Sequence, residues 1–460
     1  MSPISKPQVR VIATGLAVAT FALHLWLART FESLGVFEAR DVLFDADISV
    51  RLLALSDWMP MGIKHPNLMF YFSPLVAMVA KLLQWVGFAD MPEPEMRRTV
   101  GIFIVPLASA LQSIVVLQIF LRLEVGLWRA MFLSTLMLAS FSSLIFGSIP
   151  ESYGLTALCM ALAFLLAIVR EPSWPRVRYY CAWILLCIFA TGITISNIAF
   201  VGVILWAREM QDSSSWLRAT AKAIGIAALA FGITGMSALI LDRLMPAPQA
   251  QAGIEKIEFE TVVEAEAAES DSVAHRLAGE IVREFQLYLD QNPSGRLAFF
   301  PTSLAHTFAP KQIEIAENVT GEFRLAFTLE GTPRLPRRSD PLGTTLLILM
   351  VSGACLAMRC ESSWRVMTLG AAGVLAGSWL MSVWGREVFL YSQTWHLAAM
   401  MFLAILVKGE QHVQVKTSAI VLLSLAVAIT NGVTIAKILA ILRTDAPTVT
   451  SGVASILGAA

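Results

Sequence analysis

"RYYCAWILLCIFATGITISNIAFVGVILW", Arg178 to Trp206, runs 29 residues and carries no charge after its first. A membrane-crossing helix needs about 20 mostly apolar residues, so this stretch is long for one crossing and short for two. Its middle, "TGITISN" (Thr191 to Asn197), gathers Gly, Thr, Ser and Asn where a continuous span would be apolar. The expectation is two short half-spans broken there. Non-helical backbone is tolerated at membrane depth only where protein buries it or a wet cavity meets it, so the break predicts a cavity.

The rest of the chain has the same character. Of 460 residues, 56% are hydrophobic and 15% charged. Apolar segments recur at about 9–30, 67–88, 99–121, 127–147, 151–169, 178–206, 220–241, 341–358, 364–383, 388–407 and 417–440. This defines an all-α polytopic membrane protein with about 11 hydrophobic helical segments and excludes soluble single-domain classes. The first run, Val9 to Thr30, is too long for a signal-peptide core and reads as a retained span. Thirty-four basic residues balance thirty-four acidic ones, so no electrostatic footprint for nucleic acid exists. The five cysteines lack the paired spacing of zinc or redox sites.

Only Asp242 to Asp340 looks soluble. It holds an amphipathic pattern at Val273, Leu277, Ile281, Phe285 and Leu289, which suits a membrane-surface helix or a cavity lid. The expected organisation is a transmembrane module over 1–241 with its first external loop at 31–66, an extracytoplasmic insert over 242–340, and C-terminal transmembrane helices over 341–460. Arg122, Arg129, Arg170, Arg176, Arg178, Arg208, Arg218 and Lys222 mark cytoplasmic loops. They share one side if segment 67–88 does not cross and 178–206 is broken. The first loop, "IPESY" (Ile149 to Tyr153), the break and "WGREVFLYS" (Trp384 to Ser392) then face the opposite side.

Polar residues gather on that side. In "FDADISVR", Asp45 and Asp47 stand two apart, followed by Arg51. Such carboxylates could bind a divalent cation, serve as general base toward a hydroxyl, or simply cap a helix, and the sequence leaves all three open. Lys64 and His65 precede Pro66 at a helix start, where an anionic phosphate or a lipid headgroup would be attracted. Glu151 opens a span, and Asn197 lies in the break, suited to freed backbone groups or to a ligand. Arg386 and Tyr391 stand near another span start, as binding groups or interface anchors.

The order of these features resembles the GT-C superfamily, the multi-spanning glycosyltransferases that include protein O-mannosyltransferases and the aminoarabinose transferase of lipid A. The resemblance rests on the acidic first loop, His65-Pro66, Pro150-Glu151, the Gly192-x-Thr194-x-x-Asn197 break and the insert followed by further spans. It covers roughly Val9 to Leu241 in motif order and the remainder in layout. It implies a polyprenyl-phosphate sugar donor, with Asp47 or Asp45 positioning or activating the acceptor and Glu151 as the later acidic residue. This chain departs from better-known relatives in carrying Asp-Ala-Asp, without their Asp-Glu and nearby Tyr, so the identity of the base and any metal need stay open. The expected partners are that donor, the bilayer and a glycan, lipid or protein acceptor, with transfer inverting the anomeric carbon. The expected location is the bacterial inner (plasma) membrane, with the site on the periplasmic or extracellular side. A transporter or flippase of lipid-linked sugars and a non-catalytic membrane scaffold are the competing readings.

Overall fold

The computed structural model describes residues 6–38, 42–44, 46–57, 65–87, 91–169, 175–213, 215–244, 293–310, 314–317, 323–326, 341–357, 362–381 and 388–457. Among them the chain is nearly all helical, with fifteen α-helices, a short 3-10 helix and one two-stranded hairpin. Six helices are long and apolar enough to cross a membrane by length and composition, and shorter apolar helices pack beside them. The protein is an all-α polytopic membrane protein. The amphipathic stretch at 273–289 lies outside the described residues.

The first four helices are α1 (Lys6–Ser33), α2 (Ile48–Ser56), α3 (Leu68–Trp85) and α4 (Glu93–Arg122). α4 returns antiparallel along α1: Glu32 lies 3.7 Å from Arg98, while Phe21, a turn or more deeper, stacks on Phe103. Both helices are long enough to cross, so the segment joining them leaves and returns on one face. α3, although itself 18 residues and apolar, cannot be a single crossing between them. It turns Leu68, Val76 and Ala80 inward and leaves Leu75, Met78, Leu82 and Trp85 exposed, an apolar outer stripe suited to the bilayer surface.

Next come α5 (Leu127–Leu138), α6 (Phe141–Phe146), α7 (Ser152–Ile168), α8 (Arg176–Ile193), α9 (Asn197–Asp212) and α10 (Trp216–Leu244). The break expected in the quoted stretch falls at 194–196. The arms differ from the expected half-spans: they hold 18 and 16 residues, about 27 and 24 Å at the α-helical rise. Hydropathy sees only apolar residues, whereas each helix runs on into its polar flank, to Arg176 and to Asp212. The arms form an antiparallel hairpin, closed at its far end where Tyr180 donates to Glu209 at 3.2 Å and Lys222 of α10 pairs with Glu209 at 2.7 Å.

The chain continues through α11 (Pro293–Phe308), strands β1 (Glu314–Glu317) and β2 (Phe323–Ala326), α12 (Pro341–Ala357), α13 (Ser362–Met381), the 3-10 helix Val388–Tyr391, α14 (Ser392–Val407) and α15 (Val413–Leu457). Gly370, Gly373 and Gly377 let α13 press against α9 at Ala207, Val203 and Phe200, the small-residue contact common between membrane helices. At the basic end, Arg129 donates to the carbonyls of Val407 (2.6 Å) and Gly409 (2.5 Å), satisfying acceptors that the end of α14 leaves open. At the other end, α15 packs Ile438 and Leu442 into a cluster with Phe37, Leu43, Phe44, Phe141, Phe146 and Phe389.

Candidate active site: a guanidinium between two carboxylates

That cluster fixes the loop ahead of α2. Residues 42–44 lie alongside β2: Leu325 N–H donates to the Val42 carbonyl at 2.8 Å, and Phe44 N–H donates to the Leu325 carbonyl at 2.9 Å. Phe44 is held at φ 57°, a left-handed conformation costly for a bulky residue, which persists where surroundings over-determine it. Its ring is clamped edge-on against Phe141 and Phe389, with centroids at 5.7 and 5.3 Å.

Three residues on, Asp47 takes the N-cap position of α2, as an aspartate should, but its side chain makes no capping bond. Its Oδ2 instead accepts from Arg51 Nη2 at 2.9 Å, and the carboxylate side chain stays 52% exposed while Arg51 is 10% exposed. On the same Nε/Nη2 edge of the guanidinium, Arg51 Nε lies 3.6 Å from Oε1 of Glu151, whose side chain is 2% exposed. Glu151 caps α7: its Oε2 accepts from Ser152 N–H at 2.6 Å and from the Ser152 hydroxyl at 3.2 Å. The turn before it comes close to α1, because Gly147 leaves room where a Cβ would overlap the His24 imidazole.

Glu151 sits in that turn, outside the helices. Burial pushes its carboxyl up to about 7; Arg51 opposes the rise, Asp47 adds to it, and the Ser152 hydrogen bonds oppose it. Tyr153 follows two residues later, stacked on Phe146 at 5.3 Å and edge-on to Tyr391 at 6.1 Å. The fold therefore gathers Asp47, Arg51, Glu151 and Tyr391 of the sequence-derived candidates. Tyr153 and Phe389 were not singled out; the only signal for Tyr153 was its place in the "IPESY" hairpin.

His65 and Asn197 stand at the helical break. Nδ1 of His65 donates to the Ile193 carbonyl at 2.7 Å, and Asn67 N–H donates to the Gly192 carbonyl at 3.0 Å. Asn197 Nδ2 donates to the Ala190 carbonyl at 3.1 Å and to Thr156 Oγ1 at 3.0 Å. The Gly192 and Ile193 carbonyls, left without helical partners by the break, are thus satisfied by the Asn67 amide and His65, while Asn197 adds a second donor to the Ala190 carbonyl, which already accepts from Thr194 N–H at 3.1 Å. Gly192 admits Tyr71, whose hydroxyl would overlap any Cβ there. Asp45, Lys64 and Arg386 lie outside the described residues.

Among the described residues no group of three or more His, Cys, Asp or Glu side chains is placed to hold a metal. A divalent cation on the paired oxygen of Asp47 would face the Arg51 guanidinium at contact distance, and like charges repel strongly at that range. The described donors do not fit a cation there.

Fold and cluster together define a class: a polytopic helical membrane protein in which a half-exposed carboxylate and a buried one share a guanidinium. No protein-family profile and no curated protein matches the sequence. Among solved structures the chain is similar to ArnT from Cupriavidus metallidurans bound to undecaprenyl phosphate, with TM-score 0.46 and 12% identity over 97% of this chain and 74% of that one. It is also similar to the archaeal oligosaccharyltransferase AglB from Archaeoglobus fulgidus in complex with an inhibitory peptide and a dolichol-phosphate, with TM-score 0.45 and 13% identity over 93% of this chain and 55% of that one. The chain thus spans little more than half the length of AglB.

Proposed function

We propose that the protein is a membrane glycosyltransferase that moves a sugar from a polyprenyl-phosphate donor to an extracytoplasmic acceptor with inversion. The observation that carries this reading is the Asp47–Arg51–Glu151 arrangement, set where α2 and α7 begin on a scaffold of membrane-length helices. A polyprenyl-phosphate sugar has a tail that must stay in lipid and a head that must reach water, so its enzyme must be embedded. Transfer then needs a carboxylate to take the acceptor hydroxyl's proton, worth about 10²–10⁴-fold, and a cation where charge develops on the departing phosphate. Asp47 fits the first role because it is exposed. Arg51 fits the second, and Glu151, buried behind it, acts as a positioning residue. Tyr153 and Tyr391 line the approach, while His65 and Asn197 hold the turn between α8 and α9. Asp45, Lys64 and Arg386 remain candidates for acceptor and phosphate contacts, and residues 242–340 for an extracytoplasmic insert. The bacterial inner membrane is the proposed location.

The test is direct. Purified protein given a radiolabelled polyprenyl-phosphate sugar and an acceptor extract is expected to release polyprenyl phosphate, and Asp47→Asn is expected to abolish release while leaving expression intact. Movement of label across vesicles with the sugar–phosphate bond unbroken would mark a transporter, and full transfer by Asp47→Asn would remove Asp47 as the base.

A further inference from the structure

A base held in an ion pair is a weakened base. Arg51 Nη2 lies 2.9 Å from the carboxylate proposed to accept a proton, and a neighbouring cation favours the ionised form of that carboxylate. Nε of the same guanidinium lies 3.6 Å from Glu151, a residue that is itself buried and fixed through Ser152. An arginine side chain presents five N–H donors in a rigid fork, so its Nε can stay beside Glu151 while the terminal Nη groups change partner.

We propose that Arg51 transfers its charge from Asp47 to the departing phosphate during the reaction, with Glu151 as the positioning residue that keeps the guanidinium in reach of both. This deepens the glycosyltransferase reading and rests on it. In the step, the acceptor oxygen bonds to the anomeric carbon as its proton passes to Asp47. The bond between that carbon and the phosphate oxygen breaks, and its electron pair stays on the phosphate. Asp47 loses its negative charge as the phosphodiester, with one negative charge, becomes a monoester carrying up to about two. The local net charge is unchanged, and only its position moves. Arg51 has less to gain at Asp47 and more at the phosphate as the transition state is approached, which is the differential stabilisation that raises kcat. Asp47 afterwards gives its proton to water.

The consequence can be read without turnover. Asp47→Asn imitates the protonated base, and Asn is as well suited as Asp to the N-cap of α2. Binding of polyprenyl phosphate, measured by titration in detergent micelles, is expected to be roughly three- to tenfold tighter in Asp47→Asn than in the wild type, the scale of a partly exposed ion pair. In an Arg51→Gln background the same substitution is expected to give no gain. Equal affinity in wild type and Asp47→Asn overturns the transfer of charge. So does a gain that persists without Arg51, which would be simple relief of repulsion. Arg51→Lys keeps the charge but not the fork, and is expected to lower kcat by about tenfold or more with donor KM within about twofold; loss confined to KM overturns the proposal. Wild-type protein that transfers sugar but fails these comparisons leaves the glycosyltransferase reading standing. Wild-type protein that neither binds the phosphate nor releases it removes both.

Discussion

Glu151 concentrates the residue-scale physics. Its carboxyl is raised from 4.5 to about 7 by burial against the pull of Arg51, so between those values the folded protein holds a proton that the unfolded chain has lost. The sign follows from linkage: the stability this group contributes is fully present below about 4.5 and is lost as pH rises through about 7. Thermal unfolding in detergent across that window is expected to show an apparent Tm that falls with rising pH, and Glu151→Gln is expected to lack that component. An unchanged slope in the variant would show that Glu151 titrates normally. At the helical break, Gly192→Ala would drive a methyl group into the Tyr71 hydroxyl. It is expected to destabilise the protein by about 1–3 kcal/mol in the same melt.

At the scale of elements, the contact between β2 and the first loop sets where Asp47 stands. Leu325 is fully buried among the aromatic residues around Phe44, and its backbone both donates to Val42 and accepts from Phe44. Leu325→Pro removes the donor to Val42 and leaves that carbonyl without it. The expected outcome is faster cleavage of the loop near 42–47 by protease added to the purified protein, together with a kcat lowered more than KM is raised, because the proposed base would be displaced. Unaltered cleavage and kinetics would mean that the loop holds its shape without the strand. The helical hairpin α8–α9 was legible in part: Gly, Thr, Ser and Asn in an apolar run announced the break, but not the length of its arms. Helices continue into polar flanks wherever packing and i→i−4 bonding reward it, and composition averages do not record that.

At the scale of the whole molecule, the antiparallel return of α4 along α1 determines the topology of the first loop. Both ends of the segment 34–92 then lie on one face. Single cysteines at Glu38 and Pro92, in a chain with the native cysteines replaced, are expected to react with an impermeant maleimide from the same side, and one at Glu410 only after permeabilisation. Reaction of Glu38 and Pro92 positions from opposite sides would require α3 to cross. This point was posed by the positive-inside pattern, whose basic loops agreed only if segment 67–88 did not cross, yet a helix of that length and hydropathy is indistinguishable by composition from a span.

Residue order alone determined the membrane class, the interruption within Arg178 to Trp206, and the side on which acidic and basic groups collect, because bilayer thickness and backbone hydrogen bonding act on any apolar run in the same way. Which of those groups touch was decided only by the tertiary structure. Arg51 and Glu151 are a hundred positions apart, and nothing local requires them to meet; His65 turned to the Ile193 carbonyl, which is open only because α8 ends where it does. Packing of both α2 and α7 against α4 brought the partners within reach of each other.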